Sequence, residues 1–119
     1  MAVADIRKIE EIEAAVRTTV EAFGRIDILF NNAGTNVRKP VVEVTDEDWH
    51  TIIDTNVKGI FLVARAVARQ MIAQKSGRIV NMSSMSAVSA ERDKVVYASS
   101  KGAVSQFTKG LALELAPFG

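Results

Sequence analysis

The chain has 119 residues, 48% of them hydrophobic, with a net charge of +1, one histidine and no cysteine. That composition suits a folded globular piece rather than a disordered one, and its near-neutral charge offers no footing for nucleic acid or an anionic membrane. It excludes disulfides, thiolate chemistry and a His-rich metal centre, and no run approaches the roughly 18 apolar residues of a membrane-spanning helix.

Ala2-Val3-Ala4 reads as the tail of a strand. Asp5 then precedes a helix over about residues 6–23, with Ile9, Ile12, Val16, Val20 and Phe23 at helical spacing. This polar start reads as a helix and not as a secretory leader, and with no cysteine a cytoplasmic setting is expected. Gly24 stops the helix. Residues 26–31 read as the next strand, and Thr35 to Val44 as loop, marked by Pro40.

Thr45 sits where an N-cap belongs, with Asp46, Glu47 and Asp48 placing negative charge in a first turn. The spacing predicts one long helix from there to about Gln74, with Trp49, Ile52, Ile53, Ile60, Val63, Val67 and Met71 along one stripe. His50 falls on this helix as a solvent-facing residue. After Ser76-Gly77 comes a strand over 78–83, then a polar loop over 84–94 and a last helix over about 95–116. The order β-α-β-α-β-α predicts an α/β fold with parallel strands, one partial domain over 1–119.

Three motifs carry chemistry. Tyr97-Ala98-Ser99-Ser100-Lys101 puts a phenol and an ammonium one turn apart on a helix face. A phenol ordinarily titrates near pKa 10, and an ammonium about 4 Å away favours its ionised form, so the spacing suits a general acid/base. By itself the pair is also what any helix surface can carry. Thirteen residues before Tyr97, Ser84 closes the run Gly77-Arg78-Ile79-Val80-Asn81-Met82-Ser83-Ser84, at the end of a strand. In an open parallel sheet ligands bind beyond the carboxyl ends of the strands. Upstream, Asp27-Ile28-Leu29-Phe30 ends in Asn31-Asn32-Ala33-Gly34, whose small residues let backbone approach a ligand closely. Asn56 interrupts the apolar stripe of the long helix. Its plain reading is a core asparagine with a hydrogen-bonded amide.

In this order and spacing the motifs resemble the short-chain dehydrogenase/reductase family, over essentially the whole chain. The resemblance implies part of a Rossmann-like doubly wound parallel sheet and an NAD- or NADP-dependent oxidoreductase acting between a carbonyl and a secondary alcohol. Tyr97 would be the acid/base. Lys101 would support it and hold the nicotinamide ribose, and Ser84 would orient the substrate oxygen, with Ser83 its plain neighbour. Asn56, in Asp54-Thr55-Asn56-Val57, matches the family's catalytic asparagine, which holds a water linked to the lysine. Asn31, Ala33 and Gly34 match positions beside the cofactor ribose. Asp5 matches a position that meets the adenine, weighed evenly against a simple helix cap. No metal is implied. Asn36-Val37-Arg38-Lys39-Pro40 and its surroundings look similar to members acting on sugar acids, polyols or 3-oxoacyl thioesters.

The family's Gly-rich cofactor loop has no counterpart here. The nearest two of the seven glycines, Gly102 and Gly110, are eight apart. The family's sheet order, 3-2-1-4-5-6-7, would leave a stub of strand 3 and all of strands 4 and 5, with an open edge on strand 4. The helices over 45–74 and 95–116 are the ones that pair between subunits in many members, which implies a homo-oligomer. Two alternatives stand beside the enzyme reading. One is a truncated, catalytically silent fragment acting at most as an association module; the other is a non-enzymatic α/β binding domain, which the intact Ser84, Tyr97 and Lys101 set opposes.

Overall fold

Two parallel strands and four helices organise the computed structural model, which describes residues 2–119. In chain order they are α1 (Ile9–Phe23), β1 (Ile28–Asn31), α2 (Asp46–Ile53), a π-helical segment (Asp54–Gly59), α3 (Ile60–Gln74), β2 (Arg78–Asn81) and α4 (Val95–Leu115). Short 3-10 turns lie at Val41–Glu43, Met85–Ala87 and Ala116–Phe118. The strands pair in register from Ile28 opposite Arg78 to Asn31 opposite Asn81. This is the α/β, parallel-stranded class that the alternation predicts.

Period-2 alternation assigns the two faces of the sheet. Asn31 and Asn81 point towards the helices, where Asn31 Nδ2 donates to Ile60 O (3.0 Å) and Asn81 Nδ2 to Thr108 Oγ1 (3.0 Å). On the opposite face Ile28, Phe30 and Val80 are 67%, 56% and 43% exposed. Helix α1 packs on α3, where Ile12, Leu62 and Ala66 form a buried cluster edged by Ile9, Val16 and Val63.

The helix ends follow capping chemistry. Gly24 is left-handed at φ 78°, and its N–H closes α1 on Val20 O. Thr45 and Asp48 form a reciprocal capping box, Asp48 N donating to Thr45 Oγ1 (3.1 Å) and Thr45 N to Asp48 Oδ2 (3.0 Å).

Four expectations are corrected. Ala2-Val3-Ala4 is not a strand, because a strand needs a hydrogen-bonded neighbour and β1 and β2 make up the sheet among the described residues. Helix α1 starts at Ile9 rather than near residue 6, and Asp5 does not cap it. The Asp5 carboxylate instead accepts from Arg7 N (2.9 Å), a local turn that competes with helix. The long helix over 45–74 is broken by the π segment, which sets Asn56 inward at 0% exposure. The last strand ends at Asn81, although Met82 N still reaches Asn31 O (3.0 Å).

Candidate active site

The carboxyl end of β1, the π segment and the N-terminal half of α4 bring Gly34, Asn56, Tyr97 and Lys101 together. Lys101, on α4, is 3% exposed and donates from Nζ to Met82 O at 2.7 Å. No carboxylate lies within ion-pair reach of it among the described residues, so a buried ammonium keeps unspent hydrogens. The same Nζ lies 5.8 Å from the centroid of the half-buried Tyr97 ring. A methyl group added at Gly34 would stand 3.5 Å from that Nζ and 3.3 Å from Asn56 Oδ1. Glycine therefore keeps this corner open beside both groups.

Asn56 is a locked junction. Its Oδ1 accepts from Thr35 N (2.8 Å), and its Nδ2 donates to Thr35 O (2.8 Å) and Ser100 Oγ (3.1 Å). Ser100 Oγ in turn donates to Tyr97 O (2.7 Å). One side chain thus ties the loop after Gly34 to the helix turn that bears Tyr97. The extra residue per turn of the π segment, seated where Gly59 lets Ile6 approach, turns Asn56 to this job. A methyl group on Gly59 would stand 2.7 Å from Ile6 Cδ1.

The two serines divide their work. Ser83 Oγ donates to Lys101 O (3.1 Å) and pairs with Ser105 Oγ (2.7 Å), so it pins β2's exit to α4. Ser84 Oγ accepts from Ser86 N (3.1 Å), and its own hydrogen goes to no described group. It opens the turn Met85–Ala87, which packs against α4.

Asn31 and Asp5 stand apart from this network. The amide of Asn31 is spent in the interior on Ile60 O and, at 3.2 Å, on Asn81 Oδ1. Ala33 and Gly34 are exposed, as backbone open to a ligand requires. Asp5 is outside the Asn56–Lys101 network. Its carboxylate is held well below the usual range, first by its hydrogen bond from the Arg7 side chain, and its N–H donates to Glu11 Oε2 (2.8 Å).

Two ion pairs lie at the starts of α2 and α4. Lys39 Nζ meets Asp48 Oδ2 at 2.6 Å. Beside it the Asp48 carboxyl is lowered to about 2, first by that lysine's hydrogen bond and then by the Thr45 N–H. Lys94 Nζ meets Glu91 Oε2 at 2.7 Å and pulls the Glu91 carboxyl below its ordinary value, with smaller help from Ser86 and Arg38. Lys39 N donates to Asp93 O (3.1 Å), joining the two loops. Thr35, Ser86, Ser100 and Glu91 were not singled out from sequence. Thr35 and Ser100 adjoin motif residues, which is their signal; Ser86 and Glu91 sit in a polar loop and give none.

The family model described as short chain dehydrogenase matches residues 1–119. A 3-oxoacyl-[acyl-carrier-protein] reductase from Synechocystis sp. is 38% identical over 116 residues, covering 98% of this chain and 47% of that protein. The structure of an NAD+-bound xylitol dehydrogenase superposes with TM-score 0.95 at 42% identity, covering 98% of this chain and 45% of that one. A gluconate 5-dehydrogenase from Burkholderia cenocepacia J2315, in complex with NADP and tartrate, gives TM-score 0.95 at 40% identity, covering 99% and 46%. The chain spans about half the length of the curated relatives it matches.

Proposed function

The chain belongs to the short-chain dehydrogenase family, and we propose that the whole protein interconverts a carbonyl and a secondary alcohol with NAD or NADP. The observation that carries this is the buried Lys101 ammonium, unpaired by any described carboxylate, beside the Tyr97 ring and the open corner at Gly34. Such a cation calls for an incoming oxygen partner.

The residues fit the ribose and nicotinamide end of the cofactor. Gly34 leaves room, and Lys101 has hydrogens to donate to ribose hydroxyls. Ala33 precedes Gly34 in the chain and Asn31 is the candidate to act through its backbone, its amide being spent in the interior, while Asp5 is the candidate for the adenine end. No Gly-rich phosphate cradle is found within these 119 residues. When bound, the nicotinamide supplies or accepts the hydride.

The remaining steps belong to this chain's side chains. Ser84 Oγ, restrained as an acceptor from Ser86 N, keeps its hydrogen for the substrate oxygen. In reduction the Tyr97 hydroxyl gives its proton to that oxygen, and in oxidation it takes one back. The Lys101 charge stabilises the phenolate left behind. Asn56 holds the Thr35 loop and the Ser100 turn around them and is the candidate anchor for a water that resupplies the proton.

The similar proteins are named for 3-oxoacyl-[acyl-carrier-protein], xylitol and gluconate, and a substrate of the sugar-acid, polyol or 3-oxoacyl class is proposed for this protein. A homo-oligomer through α2–α3 and α4 is proposed as well. Phe61 and Phe107 meet edge to face (6.1 Å) with Arg65 over Phe61 (5.0 Å), an aromatic cluster on adjacent helices that Phe61 leaves partly open. A cytoplasmic setting fits a chain without cysteine. Among the described residues no helix is long and apolar enough to cross a membrane.

The open sheet face at Ile28, Phe30 and Val80 favours a second reading for the 119 residues taken alone, a catalytically silent piece that associates through uncovered surface. Calorimetry with NAD and NADP on the 119-residue chain tests it, and micromolar binding would sink it. For the whole protein the test is Tyr97→Phe. It removes one hydroxyl, so the fold survives while turnover falls by about 100- to 10,000-fold. A variant that keeps most of the parent rate would show that the phenol is not the acid/base.

A further inference from the structure

The 89–94 loop holds a carboxylate that the proposed chemistry does not use. We infer that Glu91 is a positioning residue for Ser84, clamping the turn that carries Ser84 to the start of the helix that carries Tyr97. The inference rests on the reading of Ser84 and Tyr97 as the substrate-facing hydroxyls.

The clamp runs through three contacts. Ser84 Oγ accepts from Ser86 N at 3.1 Å, so the position of Ser86 backbone fixes the Ser84 rotamer. The Ser86 side chain is buried, and its Oγ donates to Glu91 Oε1 at 3.3 Å. The other carboxylate oxygen, Oε2, holds Lys94 Nζ at 2.7 Å. Lys94 is the residue before α4, and its carbonyl accepts from Ala98 N at 2.8 Å, the first turn around Tyr97. Arg38, from the loop after β1, adds positive charge on the same carboxylate. Glu91 therefore touches both elements whose separation sets the distance between the two hydroxyls.

Its two oxygens do separable work. Removing the side chain strands a buried hydroxyl donor on Ser86, which must turn away or drag its backbone with it. The N–H that restrains Ser84 moves as well. A Gln in the same place still accepts from Ser86 through its amide oxygen but turns its NH2 towards the Lys94 ammonium, so it keeps the Ser86 end of the clamp and gives up the Lys94 end.

The test is a set of variants in the whole protein, read as kcat and KM. Glu91→Ala and Ser86→Ala each lower kcat about ten-fold with cofactor KM unchanged, the effect of one misplaced hydrogen bond in the transition state. The double variant is no worse than either, because both cut one path. Glu91→Gln, which keeps the Ser86 end alone, gives a kcat between that of Glu91→Ala and the parent. In a Ser84→Ala background, Glu91→Ala is silent. A Glu91→Ala variant with parental kcat, or one equally damaging without Ser84, overturns the inference.

Amide hydrogen exchange separates this result from the fate of the proposed function. Glu91→Ala speeds exchange at Ser86 whether or not any carbonyl is turned over. Unchanged exchange at Ser86 means there is no clamp. Absent turnover in the parent with faster Ser86 exchange in the variant refutes the proposed reaction and, with it, the catalytic purpose of the clamp.

Discussion

Leu29 and Ile79 lie on the sheet face that meets the helices, while Ile28, Phe30 and Val80, one residue along the same strands, lie open. Both rows have the residues of a buried parallel strand, because parallel sheets are normally covered on both faces. Their difference in surroundings separates two kinds of completeness. On the helix side the polar groups are paired: no buried side-chain nitrogen or oxygen among the described residues lacks a partner. Asn56, Lys101 and Ser83 are held by this chain's own atoms. On the open side the apolar row has no cover from the described residues. The helix-side interior of the site is thus locally specified, whereas the sheet relies on further surface.

Substitutions on the two sides sharpen that contrast. Asn56→Leu has the largest expected effect on stability. It orphans the N–H and C=O of Thr35 beside an apolar side chain, at about 1–3 kcal/mol for each group. Chemical denaturation measures it, and a loss under about 1 kcal/mol would mean that water replaces the amide. Ile60→Ala follows. Ile60 is 0% exposed at the start of α3, so truncation costs about 2–5 kcal/mol including the cavity. Phe30→Ala on the open face should change stability by no more than about 0.5 kcal/mol while reducing self-association in sedimentation. A Phe30→Ala loss as large as that of Ile60→Ala would break the comparison, since it would show the face to be covered.

The smallest effect is an acid one. Asp48 is lowered to about 2 from 3.8 by Lys39 and Thr45. Its folded-state value lies below its unfolded one, so the carboxylate contributes stability above pH 4 that drains away between about pH 4 and pH 2. Asp48→Asn removes that part of the acid transition, which melting curves against pH will show. If the two proteins lose stability in parallel through this window, the Lys39–Asp48 pair does not hold the α2 cap.

Much of this arrangement was legible because it is written in local chemistry. Thr45 three residues before Asp48 is a capping box, and Gly24 is a left-handed stop. The motif order proposed Asn56, Ser84, Tyr97 and Lys101; the structure sets Lys101 Nζ 5.8 Å from the Tyr97 ring centroid and links Asn56 to the Tyr97 turn through Ser100. The π segment was not legible. A helix that gains a residue per turn keeps the same composition, and the one clue was a polar Asn56 on an apolar stripe. The Ala2–Ala4 stub failed for a different reason: its residues suit a strand, but a ladder needs a partner that local sequence does not report. Of the two readings weighed evenly for Asp5, the helix cap fails because its side chain serves Arg7 two residues on, where turn and helix compete for the same donor. Glu91 escaped notice because its meaning depends on which buried hydroxyl it meets.

The Asn56 junction also carries a kinetic consequence. Its bonds span 21 residues to Thr35 and 44 residues to Ser100. Contacts that close such loops cost chain entropy before they return any energy. The helices can form early, whereas the junction waits until three distant segments arrive together. A chain caught midway through folding would have its helical content and no site. The Thr35 amide is the natural reporter. Its hydrogen exchange should slow only in the last phase of refolding, after the amides of α3 are already protected.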